Sequence, residues 1–88
     1  MASKAKKYPM VLVEWEDSCS PSRTWGSASG LKDYHPALIR SVGFLMKDDK
    51  RGVTIAQGLG AGLPDEVDAC LPMAIPRGCI KRIKRLKE

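Results

Sequence analysis

Three cysteines and one histidine give this 88-residue chain a set of side chains that could ligate zinc: Cys19, Cys70, Cys79 and His35. Zinc sites of this composition usually take two ligands from one short turn, with two to four residues between them. No two of these residues have that spacing, so the sequence predicts no metal site and no cofactor. The odd cysteine count favours free thiols in a reducing compartment, and the apolar neighbours of Cys70 and Cys79 predict that both are buried.

Catalytic combinations are incomplete. A nucleophilic triad could draw on His35, a cysteine and Asp17 or Asp33, yet the chain has no nucleophile elbow and no His-Glu-x-x-His motif. Glu14 and Glu16 share one face of a predicted strand and could bind a metal, but an exposed strand face explains them equally well. The sequence therefore predicts a protein that is not an enzyme.

The charged residues are distributed in blocks. The formal net charge is +5, yet residues 8–76 hold more acidic than basic side chains. The positive charge is concentrated in residues 1–7 and 77–88, and basic blocks of this kind often contact nucleic acid or another polyanion. A solubilising tail followed by a strand with one solvated face is the alternative. The predicted polyanion-binding residues are Arg77, Lys81, Arg82, Lys84, Arg85 and Lys87.

Length and hydropathy favour one small domain. A chain of 88 residues buries roughly 60–65% of its unfolded surface, which is enough for one thin core and too little for a cleft between lobes. No apolar run approaches the ~18 residues of a membrane span, and the acids that follow residue 13 interrupt any signal-peptide pattern. We expect a disordered basic leader at residues 1–7, a single domain at residues 8–88, and a protein that stays in the cytoplasm without membrane contact.

Alternating hydrophobicity predicts strands. Residues 8–17 form the first strand, with Val11, Val13 and Trp15 on one face. Residues 37–47 form the second strand, in which Gly43 predicts strong curvature or a bulge. The remaining predicted elements are a turn at residues 48–52, a third strand at 53–57, a flexible glycine-rich connector at 57–66 and a fourth strand at 70–75.

A long polar loop at residues 17–36 interrupts this pattern. Loops longer than ~12–15 residues are uncommon in compact domains and are often functional. This loop carries Arg23, Trp25, Tyr34 and His35, which a purely connective segment does not require. They are the predicted recognition residues of the loop, and the alternative is that Trp25 or Tyr34 folds back as a lid on the core.

The last segment, residues 79–88, is compatible with two structures. Ile80, Ile83 and Leu86 recur every third residue, which suits a short amphipathic helix. A turn at residues 76–79 that leads into a strand would also direct Ile80 and Ile83 inward. We expect the strand, because the segment is close to the minimum length of a helix.

The elements taken together resemble the SH3-like or Sm-like small β-barrel. Residues 73–83 (MAIPRGCIKRI) are similar to the place where such barrels have a one-turn helix between their fourth and fifth strands. This resemblance implies an all-β fold, a five-stranded barrel with a long loop after the first strand. No uridine-binding motif of the Sm pattern matches this chain, so no RNA site is transferred from that family.

A second resemblance concerns the biological setting in which the protein works. Residues 11–17, 41–57 and 75–83 are similar to segments of small uncharacterised proteins encoded by tailed bacteriophages. The resemblance implies that the protein works in the cytoplasm of an infected bacterium, and it implies no activity.

Two functions remain open from the sequence. The first is binding of nucleic acid, with the basic residues on phosphates and Trp25 or Tyr34 stacked on an unpaired base. The second is a protein-interaction module that inhibits or modulates an acidic host protein, or that forms a homo-oligomer through its strand edges.

Overall fold

The structure is a computed structural model that describes residues 8–20, 25–61 and 66–88. The leader at residues 1–7 and Arg23, both subjects of predictions, lie outside these residues. Seven strands are present in the described part: β1 (Met10–Asp17), β2 (Ala37–Asp49), β3 (Gly52–Ala56), β4 (Gly58–Ala61), β5 (Val67–Cys70), β6 (Met73–Pro76) and β7 (Ile80–Arg85). Two 3-10 turns accompany them, at Gly30–Asp33 and Arg77–Cys79.

Five strands form one antiparallel sheet in the order β6-β3-β2-β1-β7, and β4 pairs with β5 as a separate hairpin. The predicted all-β class is therefore confirmed. Within the described residues no strand ladder joins β6 to β7, so the sheet has two open edges. The sheet brings the first and last strands of the chain side by side.

The core lies on one face of this sheet. Val11, Val13, Val53, Ile55 and Ile75 are buried there, and each fully buried aliphatic side chain stabilises the fold by about 1.5–3 kcal/mol. Val11 and Val13 share the core face of β1 as predicted, and Leu12 between them is also buried, so burial along β1 does not simply alternate. Half-buried side chains complete the core from β1, β2, β6, the second 3-10 turn and β7: Trp15, Leu45, Met73, Cys79, Ile80 and Ile83.

Gly43 is needed because the backbone of β3 passes close to it. A Cβ atom at this position would lie 2.7 Å from the carbonyl oxygen of Ala56, closer than real side chains tolerate. The register shift of β2 lies two residues further on, between Leu45 and Lys47. The prediction of a special backbone position at Gly43 is thus correct in place, while the bulge itself is displaced.

The segment between β3 and β6 differs from its prediction. Residues 57–66 were expected to form a connector because glycine is unfavourable in strands. Instead β4 begins at Gly58 and pairs with β5, so local backbone pairing outweighs the glycine content. The predicted strand at 70–75 is divided, because Cys70 ends β5 and Leu71 turns the chain with a positive φ of 50°. Cys70 is exposed, so the prediction of its burial was wrong.

The last segment is a strand, as expected. The 3-10 turn at Arg77–Cys79 precedes it and begins after Pro76, whose φ of −61° suits the turn. A regular strand would place Ile80 and Ile83 on opposite faces, since they are three residues apart. A register shift between Glu14 and Trp15 on β1 compensates, and both isoleucines pack against the core.

Candidate nucleic-acid interface

The antiparallel pairing of β1 with β7 places the end of β7 beside the start of β1. Val11 is opposite Arg85, and the backbone N–H of Leu86 donates to the carbonyl of Met10 at 2.8 Å. Residues 1–7 join the chain at Tyr8, close to the same position in sequence. The part of the second basic block from residue 84 onward therefore lies at this end of the sheet, while Arg77 and Lys81 of the same block lie toward its other end. We call Lys84, Arg85 and Lys87 the basic end.

The cations of the basic end have no acidic partners among the described residues. They lie on two faces, because residues opposite each other in a ladder share a face. Lys84 is opposite Leu12 on the outer face, whereas Arg85 is opposite Val11 on the core side. Lys84, Arg85 and Lys87 are exposed, so all three charges are accessible to a polyanion.

Lys81 and Arg82 are engaged differently. The Arg82 guanidinium lies 2.6 Å from the Glu14 carboxylate, and the Lys81 ammonium lies 2.5 Å from that of Glu16. The hydrogen bond to Glu16, followed by the attraction of its charge, raises the pKa of Lys81 above its ordinary value. Arg40 of β2 also approaches Glu14, at 4.0 Å. The two glutamates thus balance cations on both sides of β1.

Arg77 is placed away from the basic end. Its guanidinium donates to the Asp48 carboxylate and to the backbone carbonyls of Asp49 and Gly52 in the β2–β3 turn. Its backbone N–H donates to the carbonyl of Arg51 at 3.1 Å. These contacts tie the 3-10 turn before β7 to the β2–β3 turn. The side chain that was predicted to bind phosphate therefore has a structural set of partners.

The loop residues lie at the opposite end of β1. Asp17 is opposite Ala37, so the loop between them is separated from Met10 by the length of β1, about 24 Å at 3.4 Å per residue. Trp25 is 86% exposed, so the expectation that it covers the core was wrong. The structure does not bring the aromatic loop residues to the basic end.

Tyr34 and His35 form a small cluster with Cys19 at the base of this loop. The Cys19 thiol donates to the carbonyl oxygen of His35 at 3.3 Å. Partial desolvation, and then the hydrogen bond and charge of Cys19, raise the pKa of Tyr34 above its ordinary value. All three residues are exposed, which leaves them available for contact.

Comparison of the chain with protein-family models, with curated proteins and with solved structures finds no match in any of the three. Among residues 8–20, 25–61 and 66–88, no group of three or more histidine, cysteine, aspartate or glutamate side chains is arranged to hold a metal ion. No helix in this part of the chain has the length and hydropathy needed to cross a membrane.

Sequence reasoning missed the outer face of β2. Leu38 and Val42 are 62% and 53% exposed, and Arg40 lies between them on the same face. By alternation Val42, Phe44 and Met46 belong to one face of the strand, yet Phe44 and Met46 are half-buried while Val42 is exposed. Alternation predicts which residues share a face of a strand, and it carries no signal for whether another element covers that face.

Proposed function

We propose that this protein is a non-catalytic binding module that binds nucleic acid at the basic end. The observation that carries the proposal is the antiparallel pairing of β1 with β7, which places Lys84, Arg85 and Lys87 together beside the start of β1. The cations of the basic end also have no competing carboxylates among the described residues.

We further propose that the sheet belongs to the SH3-like or Sm-like class of small barrels. The strand order β6-β3-β2-β1-β7 and the single turn between β6 and β7 support this assignment. The β4–β5 hairpin is then an insertion between the third and fourth barrel strands. A bacteriophage origin and an infected bacterial cytoplasm are proposed from the sequence resemblance alone.

The expected binding mode is electrostatic and tolerant of sequence. Neutralising phosphates releases counterions, so log K falls linearly with log salt by about 0.7 per phosphate on a single strand and about 0.9 on duplex DNA. Three cations at the basic end predict a slope near −2 on a single strand. Trp25 belongs to a loop that starts at the opposite end of β1 from the basic end, so stacking on Trp25 is not part of this proposal.

The test is fluorescence anisotropy with labelled single-stranded and duplex oligonucleotides over a salt series. The double variant Lys84→Gln, Lys87→Gln should weaken binding and reduce the single-strand slope by about 1.4, because two phosphate contacts are lost. The matched control Lys32→Gln, Lys50→Gln removes the same charge from exposed positions elsewhere and should keep the slope of the parent protein. Equal losses in both variants, or flat titrations of the parent at 50 mM salt, would refute the proposal.

A protein partner is the second candidate, because the outer face of β2 exposes Leu38 and Val42 beside Arg40. Arginine is enriched in interface hot spots, and exposed apolar side chains beside it offer surface that a partner can bury. Oligomerisation through the strand edges would be detected by light scattering over a concentration series.

A further inference from the structure

The N-terminal half of β2 has a strand neighbour on one side only. Its ladder with β1 covers Ala37 to Phe44, whereas its ladder with β3 begins at Phe44 and continues to Asp49. After Ala56 the chain forms the β4–β5 hairpin, which pairs with itself; β4 stays near β2 but forms no ladder with it. Within the described residues, no strand ladder covers the second side of β2 before Phe44. We call this stretch the free edge of β2.

The hydrogen-bond pattern identifies which backbone groups the free edge offers. The N–H of Leu45 donates to the carbonyl of Pro9 at 2.7 Å, so Leu45 directs its backbone groups toward β1. Antiparallel ladders alternate, so every second residue does the same and the residues between them point the other way. Leu38, Arg40 and Val42 therefore direct three N–H groups and three carbonyls away from β1.

A cleft of about 420 Å³ lies beside this edge. Apolar side chains from three strands and a turn line it, with one cation and one amide: Val42, Ile55, Leu71, Met73, Arg40 and Gln57. No acidic side chain is among the described residues that line it. The cleft can therefore accept an apolar side chain with a carboxylate next to it.

Leu71 supplies an independent indication that the cleft is used. It is the one non-glycine residue with positive φ in the described part of the chain, and its side chain is 66% exposed. A branched apolar residue in this conformation is strained, and such strain is concentrated at functional positions. Glycine or asparagine would satisfy the turn more easily, so Leu71 is a strained residue that lines the cleft with an exposed side chain.

We propose that the free edge of β2 binds an extended acidic-apolar peptide segment of a partner protein by strand addition. The peptide backbone pairs with Leu38, Arg40 and Val42, one apolar side chain enters the cleft, and a neighbouring carboxylate meets Arg40. Main-chain hydrogen bonds give such complexes their affinity, and pockets for alternate side chains give specificity.

The chemistry of the edge favours this occupant over the alternatives. A row of alternating donors and acceptors at strand spacing is matched by another peptide backbone and not by a sugar-phosphate chain. The β7 edge of a second copy carries Lys84, which has no acidic partner among the described residues and whose charge repels Arg40. An acidic segment is attracted to Arg40, although Glu14 at 4.0 Å moderates that attraction.

The probe is a six-residue peptide, blocked at both ends, in which leucine and valine alternate with threonine and glutamate. Two-dimensional ¹⁵N–¹H spectra of the whole chain should show its binding through the amides of Leu38, Arg40, Val42 and Leu71. Amide exchange of Leu38, Arg40 and Val42 should slow in the complex. A peptide N-methylated at its pairing positions should bind at least tenfold more weakly, because it cannot complete the ladder.

Charge variants test the role of Arg40. Arg40→Glu should weaken binding of the glutamate peptide about tenfold and strengthen binding of the matching lysine peptide, while Lys50→Glu should change neither. The double variant Lys84→Gln, Lys87→Gln should keep peptide affinity, which separates this site from the nucleic-acid site. Equal binding of the N-methylated peptide, or shifts confined to β6 or β7, would overturn the proposal. Concentration-dependent shifts at the free edge without peptide would identify a second copy instead and would also overturn it.

Discussion

At the scale of single residues, several charged side chains serve structure rather than binding. Arg77 joins two turns that are distant in sequence, and Asp49 closes one of them. Glu14 and Glu16 hold Arg82 and Lys81 in place across the β1–β7 pair. A basic residue in this chain is therefore available to a polyanion only where no such partner exists.

Arg77→Ala should lower the free energy of unfolding by about 1–3 kcal/mol, since the variant loses hydrogen bonds to a carboxylate and to backbone carbonyls. Arg77→Lys keeps the charge but lacks the planar fork, so it should recover only part of this stability. Urea unfolding measures both, with Arg51→Ala in the same turn as the control. If Arg77→Ala were as stable as the parent but bound nucleic acid poorly, the structural role would be refuted.

Asp49 makes stability depend on pH. Its carboxylate accepts hydrogen bonds from the backbone N–H groups of Arg51 at 2.9 Å and Gly52 at 3.2 Å, and the bond from Arg51 is the main cause of its lowered pKa. A lowered pKa in the folded state means that the stabilisation is fully present above the unfolded-state pKa, about 3.9. It is lost as the pH falls through the folded-state pKa.

Thermal unfolding at pH 7 and pH 3 should therefore show a larger loss of stability in the parent than in Asp49→Asn. The asparagine keeps an acceptor oxygen for the turn and does not titrate. A loss of the same size in both proteins would show that other carboxylates cause the acid sensitivity.

At the scale of elements, close approach of backbones decides where glycine is required. β2 and β3 come together at Gly43, whereas a Cβ on Gly60 of β4 would have no neighbour within 4 Å. Gly43→Ala should destabilise the protein by about 1–3 kcal/mol through overpacking. Gly60→Ala adds the same methyl group in open space and should leave stability nearly unchanged. Urea unfolding of the two variants compares them directly, and equal effects would contradict the observed packing of β3 on β2.

In the β5–β6 turn, the positive φ of Leu71 lowers stability while the leucine side chain stays exposed. Leu71→Gly should raise the free energy of unfolding by about 0.5–1 kcal/mol, because relief of the positive φ exceeds the entropic cost of glycine. Leu71→Ala keeps the strain and should show no gain. The same glycine variant should bind the probe peptide more weakly, so its stability and its affinity should change in opposite directions. A Leu71→Gly protein that is less stable than Leu71→Ala would show that the leucine is held by packing instead.

At the scale of the whole molecule, the alternation of apolar and polar residues predicted where the strands lie better than it predicted which strands pair with each other. The faces of β1, the β2–β3 hairpin and the final strand follow from alternation and turn residues, and all three are confirmed. The pairing of Lys81 and Arg82 with glutamates depends on β1 lying next to β7, a contact across most of the chain. The β4–β5 hairpin was missed because the glycines of β4 interrupt the alternation of apolar and polar residues by which a strand is recognised.

The candidate sites were predictable to different degrees. The basic residues of the last strand could be named from charge alone, but their division into paired and accessible cations required the strand order. The free edge of β2 had no sequence signal. It exists because the ladder between β2 and β3 stops at Phe44, whereas β2 itself begins at Ala37. Trp25 was identified by residue type, and its distance from the basic end follows only from the register of β1 with β2.

The pairing of Leu86 with Met10 has a practical consequence for work with this protein. An affinity tag or fusion partner joined after Glu88 starts next to the basic end. A tag rich in aspartate would be held at high local concentration and would compete with an oligonucleotide as an intramolecular ligand. An untagged protein, or one with a neutral tag on a long flexible linker, is therefore the proper reagent for measuring its affinity.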